Sequence, residues 1–198
     1  MIIDIDLLLT WGATYKKVQR GDVIFMEGCN ANFYYQLVEG KVKWVNINED
    51  GRELIQLMIG EGECFGEISV FDDEPYASTA IAEEDSVIIR LHRNSFLQLL
   101  KENKEVHFEF TRMLASRLRF KFFVLKELAY YNPEHRITAL LNYFKRTHMH
   151  TCPESNLLKL TRQQIADMTG LRVETVIRAI RHMHDKGQIL IERGKVYC

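Results

Sequence analysis

The stretch LTRQQIADMTGLRVETVIRAIRHMHDKGQILIERGKVYC, Leu160 to Cys198, decides how this chain is read. Thr161 followed by Gln164 has the capping-box pattern, in which each side chain bonds the other residue's backbone amide and starts a helix. Ile165, Ala166 and Met168 give that helix an apolar face. Gly170 permits a tight turn, and a second helix is expected from Arg172 to Lys186. Two short helices joined by a glycine turn make a helix-turn-helix, whose second helix enters the major groove with its first turns facing the base edges. Glu174 and Arg178 lie four apart on that helix; a carboxylate accepts from cytosine N4, and a guanidinium bonds guanine O6 and N7. The same spacing describes an ordinary surface ion pair, and it is the placement in a basic helix-turn-helix that favours base reading. The ending GQILIERGKVYC has two β-prone runs around Arg193-Gly194 and reads as a hairpin, which makes the motif winged.

Charge divides along the chain in the same sense. Residues 1–130 hold 15 Lys and Arg against 21 Asp and Glu, a balance of −6, whereas residues 131–198 hold 11 against 6, a balance of +5. The basic part is the one suited to phosphate contact. With 198 residues, 46% hydrophobic and 27% charged, the chain suits one sizeable core or two modest ones. No apolar run is long enough to span a bilayer, and MIIDIDLLLTWG carries Asp4 and Asp6 without a basic residue, so a cytoplasmic protein with no membrane contact is expected. Cys29, Cys64, Cys152 and Cys198 form no CxxC pair and are read mainly as free thiols.

Upstream, eight of the eleven glycines fall before residue 67 and separate the short β-prone runs DVIFM, FYYQLV, KVKWVNI and ELIQLMI; STAIA and SVIIRLH follow. Closely spaced short strands predict a sandwich or barrel. From Asn94 to Tyr131 glycine and proline vanish and the pattern turns helical, with Leu114, Leu118, Leu125 and Leu128 on a seam of about 3.5-residue period. Pro133 in YNPEH breaks that helix and can start another.

These segments together resemble the bacterial regulators related to the cyclic AMP receptor protein and the fumarate-nitrate regulator, the Crp/Fnr family. RGDVIFMEG, YYQLVEGKVKW and FGEISVF look like its β-roll, LASRLRFKFFVLKELAYYNPEHRI like its dimerisation helix and hinge, and TRQQIADMTGLRVETVIRAI like its DNA-reading motif. The resemblance implies an α+β chain: a cyclic-nucleotide-binding-like β-roll (a double-stranded β-helix) over residues 1–102, a dimerisation helix over 103–131, and a winged helix-turn-helix over 132–198. It further implies a homodimer on a palindromic operator, with RNA polymerase as a further partner. Glu174, Arg178 and Val173 would face bases, and Arg162, Gln163 and Thr175 would hold the DNA backbone. Val173 stands where the cyclic AMP branch has another base-reading arginine, so VET is similar to the fumarate-nitrate branch and points to TTGA-like half-sites. Arg172 replaces a small hydroxyl residue that would cap the second helix.

The same resemblance places the effector pocket at Gly66, Glu67, Tyr76, Ala77, Lys121 and Phe122. Gly66 and Glu67 match the family's glycine-glutamate step, but Tyr76 and Ala77 occupy the places of its phosphate-binding arginine-serine pair. No Lys or Arg lies between Arg52 and Arg90, while ten Asp and Glu do. A cyclic phosphate would lack a charge-assisted pair worth about 1.5–3 kcal/mol, so cyclic AMP is not expected to bind in the usual way and the effector is left open. Lys121 interrupts the leucine seam; it either sets register or supplies the missing cation.

The first 28 residues contain no cysteine, which argues against the family's N-terminal iron-sulfur ligand set, and no cofactor is expected. Cys64, beside the pocket, is read as buried and inert, with thiol oxidation as the alternative. A cupin-type metal enzyme would need clustered strand histidines, yet residues 1–130 hold only His92 and His107. His148 to Cys152 (HMHTC) and His182 to Asp185 (HMHD) have ligand-like spacing but lie in a loop and at a helix end, so neither a metal site nor an enzyme is expected. A nucleotide-binding regulatory module without DNA binding would leave Glu174, Arg178 and the basic C-terminal part without a role.

Overall fold

The computed structural model describes residues 3–129 and 132–198. It divides into two compact units, Met1–Ser116 and Arg117–Cys198. The division falls inside one helix, Lys104–Leu128. Phe110 of this helix is fully buried in the first unit's core, with Met113 and Leu114 packed against it. Phe120 and Phe123 instead stack on Tyr143 of the second unit, centroids 5.1 and 4.6 Å away. The expected end of the helix at Tyr131 lies outside the described residues.

In the first unit, α1 (Ile5–Thr10), β1 (Thr14–Val18), β2 (Val23–Phe25), β3 (Phe33–Glu39), β4 (Val42–Ile47), β5 (Glu53–Ile59), β6 (Cys64–Phe65), α2 (Ile68–Asp72), β7 (Thr79–Ala82) and β8 (Ser86–His92) precede α3 (Arg93–Glu102). Two antiparallel four-stranded sheets result, ordered β1-β8-β3-β6 and β2-β7-β4-β5. The six strands expected from sequence are all present. The sequence reading missed β1, whose first four residues are exposed and carry no alternating apolar signal, the two-residue β6, and the short α1 and α2. It also read one helix where there are two, since Asn103 ends α3 before α4 (Lys104–Leu128) begins; the Asn103 side chain donates to the Leu99 carbonyl (2.9 Å).

Strand β3 is buried on both faces, and successive side chains point oppositely. Tyr34 faces outward into a core of Leu91, Phe96, Leu99 and Phe110, stacking on Phe96 at 4.2 Å. Tyr35 faces the opposite way and meets Phe25 and Phe65 at 5.4 and 5.3 Å. Aromatic rings therefore line the inner face of β3.

In the second unit, α5 (Pro133–Thr147), α6 (Arg162–Thr169) and α7 (Val173–Asp185) are followed by β9 (Leu190–Glu192) and β10 (Lys195–Tyr197). Asn132 caps α5, accepting from the Glu134 and His135 amides, with Pro133 in the first turn, where its missing N–H costs nothing. Ile137, Leu141, Phe144, Ile165, Ala166, Val176 and Ile180 make the core. Strands β9 and β10 pair as a hairpin around Arg193-Gly194, both with left-handed backbone (φ 48° and 79°).

Candidate nucleic-acid interface and sensor site

The capping box forms as its sequence predicts. Thr161 Oγ1 accepts from the Gln164 amide (3.1 Å), and Gln164 Oε1 accepts from the Thr161 amide (2.9 Å). Gly170 ends α6 at φ 65°, a conformation that costs an L-residue about 1–2 kcal/mol. After this turn α7 buries Val176, Ala179, Ile180 and Met183 and leaves Glu174 and Arg178 exposed. No ion pair joins Glu174 to Arg178 among the described residues, so the surface-pair alternative is not the one adopted. Val173 and Thr175 are half-buried in the first turn.

Arg181 is exposed seven residues after Glu174 and extends the same helix face. The sequence reading missed it; the i, i+4, i+7 spacing was the available signal. Two side chains expected on the DNA backbone are already engaged. Arg162 Nη1 donates to the Gly194 carbonyl at the hairpin tip (2.6 Å), and Gln163 Nε2 donates to Asp167 Oδ1 (2.8 Å). Arg162 thus ties the wing to the start of α6.

Two contacts fix α7 from behind. Glu134 near the start of α5 meets His182 Nδ1 (2.7 Å) and Lys186 Nζ (3.1 Å), and these two hydrogen bonds hold its carboxyl below the usual range. His184 Nδ1 accepts from the Ile191 amide (3.3 Å) at the wing's first strand. The HMHD histidines therefore orient the helix and the wing.

On α4, Leu118, Phe122 and Leu125 are 56%, 65% and 66% exposed. Their i, i+4, i+7 spacing makes one stripe, which Phe108, Thr111 and Ala115 continue toward the N-terminus at the same heptad positions. Of the expected seam, Leu114 is partly buried against its own unit's core; Phe122, expected in the effector pocket, lies on the exposed stripe. Leu128 stands at the stripe's edge, 36% exposed. Lys121 is exposed on the helix surface; desolvation, then the nearby Arg117 charge, lower its ammonium pKa to about 8.

In the β-roll, Glu67 is fully buried and Ala77 is exposed. Tyr76 points inward, its ring 3.8 Å from that of Phe25, and its hydroxyl donates to the Phe33 carbonyl (3.4 Å). Burial raises its pKa. Gly66 has φ 74°, and a Cβ there would stand 2.9 Å from Phe25 and 3.2 Å from Tyr76, so the glycine is required by both backbone and space. The acidic loop is less bare than its sequence implies. Lys43 pairs with Glu53 and Glu83, and Arg93 pairs with Asp73. Cys64 is buried and Cys29 exposed.

Comparison with known proteins agrees with this geometry. Residues 15–103 match the cyclic nucleotide-binding domain family and residues 135–197 the Crp-like helix-turn-helix domain family. The chain is 29% identical over 189 residues to the cAMP-activated global transcriptional regulator CRP of Haemophilus influenzae, covering 93% of this chain and 84% of the relative. It is 26% identical over 193 residues to the cyclic AMP receptor protein of Thermus thermophilus, covering 98% and 87%. The structure of FixK2 from Bradyrhizobium japonicum has the same fold, with a TM-score of 0.78 at 23% identity over 93% of this chain and 91% of that one.

Proposed function

Since the chain belongs to the Crp/Fnr family of DNA-binding transcription regulators, we propose that it acts in the cytoplasm as a homodimer that reads an inverted repeat with the exposed face of α7. The observation that carries this reading is the placement of Glu174, Arg178 and Arg181 on one solvent-facing side of a helix whose opposite side is buried. Glu174 and Arg178 read bases, and Arg181 adds positive charge further along the same groove. Arg162 acts chiefly by positioning the wing.

Two copies pair along the Phe108 to Leu125 stripe of α4, because an apolar ridge of that length left in water is an aggregation liability. A two-fold arrangement then presents both α7 helices at a separation of about one DNA turn. The protein works by binding and not by catalysis; on the operator it meets RNA polymerase, and the β-roll biases the paired helices between two arrangements.

The effector is not a cyclic nucleotide held by the family's loop. Tyr76 in place of the phosphate-binding arginine packs inward on Phe25, so the loop offers a ring where a phosphate would need a cation. Selection of bound sequences from a random duplex pool tests the DNA reading. Inverted half-sites with a TTGA-like core are expected, and recovery of no common sequence would reject sequence-specific binding.

A further inference from the structure

The cation absent from the loop is supplied by a strand. Arg90 lies on β8 directly opposite Tyr35 of β3, and directly paired residues of an antiparallel ladder project from the same face. Tyr35 faces the interior of the β-roll, where it meets Phe25 and Phe65; Arg90 therefore enters that interior too. Its guanidinium carbon stands 4.7 Å from the centroid of the Phe33 ring. The Nε atom is shielded from solvent and has no hydrogen-bond acceptor, and among the described residues no carboxylate lies within ion-pair distance of the guanidinium.

A half-buried arginine with no counter-ion weakens a fold, because its charge has lost water and a ring face such as that of Phe33 repays only part of the loss. Lys41, Lys43 and Arg93, also near the acidic segment, each have a carboxylate partner. The groups around Arg90 can complete an anion site. Tyr35 and Tyr76 are joined by a hydrogen bond between their side chains. Burial pushes the Tyr35 hydroxyl pKa up, while Tyr76 and then the Arg90 charge pull it back. The single proton of Tyr76 goes to the Phe33 carbonyl, so Tyr35, whose hydroxyl can turn from Tyr76 toward an anion, is the phenol that can donate. Tyr76 is tied to the surface through Cys29, whose side chain is exposed and whose carbonyl accepts the Tyr76 amide (2.9 Å).

We propose that Arg90 and Tyr35, with Tyr76 at the end of the Glu67 to Ala77 loop beside them, form a binding site for a small organic carboxylate inside the β-roll, so that the sensor's cation comes from β8 and not from that loop. A carboxylate matches the planar guanidinium fork with two oxygens and a single negative charge. A phosphate dianion would leave one charge unpaired among the carboxylates of residues 53–85. The aromatic walls favour an apolar body on the acid. This inference rests on the β-roll being the sensor, and its test does not involve DNA, so failure of operator binding and failure of this site are separate results.

The test is thermal unfolding and calorimetry of the full chain with benzoate, acetate and inorganic phosphate, at ionic strength matched with chloride. Benzoate is expected to raise the wild-type Tm saturably and to bind more tightly than acetate, with phosphate inert. Arg90→Met keeps the length and the contact with Phe33 but removes the charge. It is expected to be at least as stable as wild type without ligand and to bind benzoate about tenfold to a hundredfold more weakly. Arg90→Lys should fall between the two, and Tyr35→Phe should weaken binding. An Arg90→Met protein that is less stable without ligand would make Arg90 a structural residue and overturn the proposal. So would an undiminished benzoate response in that variant, a wild type that answers only to phosphate, or one that answers to none of the three.

Discussion

The ring of Tyr76 lies on the ring of Phe25, centroids 3.8 Å apart and planes 15° from parallel. On the proposed reading Tyr76 stands in the place of the family's phosphate-binding arginine, and one substitution would then both remove a cation and insert a ring. Cyclic AMP titrated into the wild type should give no saturable heat at micromolar concentration. Replacing Tyr76 and Ala77 by Arg and Ser together restores the charge and vacates the ring. Measurable binding is expected only in the double variant, and micromolar binding by wild type would show that the phosphate is held without the loop arginine.

The α4 stripe gives a second expectation. Leu118→Glu together with Leu125→Glu places two charges per chain on the paired surface, and sedimentation should report monomers with much weaker operator binding. Leu114→Glu separates the two roles of this helix: Leu114 packs against the first unit's core, so this change should lower the unfolding temperature. Loss of stability without dimer loss is its expected signature. A wild type that sediments as a monomer and keeps full DNA affinity would contradict the pairing.

The helix-turn-helix could be read from sequence because its signals are local: a cap, an apolar face and a glycine at fixed offsets within 26 residues. The strands were readable for the same reason, since each is a short β-prone run between turn residues. The contents of the sensor were not. Whether Arg90 faces the interior depends on its pairing with Tyr35, 55 positions away, and a strand with both faces buried has no alternation to show which side is which. Arg90 stands just past the acidic stretch, and nothing in the sequence marks it as belonging to the interior. Register on α4 failed similarly, because a leucine at a 3.5-residue period fits the core and the partner surface equally well, and only packing assigned Leu114 to the first.

Arg178 and Arg162 should behave differently when removed. Arg178→Ala is expected to cost about 1–3 kcal/mol at one guanine and to relax preference there. Arg162→Ala breaks the bond to the Gly194 carbonyl, so all sequences should bind more weakly while base preference stays the same. Binding isotherms on the selected site and on single-base variants distinguish the two. Identical specificity profiles for Arg178→Ala and wild type would remove Arg178 from the base-reading set.

Glu134 makes the interface sensitive to acid. Its carboxyl is held below the ordinary value by His182 and Lys186. The folded state therefore binds that proton less readily than the unfolded one. Its contribution is present above the unfolded pKa and is lost as pH falls through the lower, folded value. Stability measured from pH 7 to pH 3 should decline less steeply in Glu134→Gln than in wild type, from a lower starting point at pH 7. Parallel curves would mean the carboxylate adds nothing.

Arg172 is the N-cap of α7 and makes no side-chain cap bond, although its backbone (φ −76°, ψ 143°) is already in the geometry a capping serine adopts. Its carbonyl accepts the Thr175 and Val176 amides, at 3.0 and 3.2 Å, so the backbone half of the cap is complete and only the side-chain half is missing. Arg172→Ser should then stabilise the chain by about 0.5–2 kcal/mol in denaturant unfolding. On the proposed reading the arginine is kept for its charge beside the DNA-reading helix. The same variant should bind operator more weakly, with a shallower dependence of affinity on salt, because one fewer phosphate is neutralised. Greater stability with an unchanged salt slope would leave the cap argument intact and remove Arg172 from the DNA contacts, while a less stable variant would reject the cap argument itself.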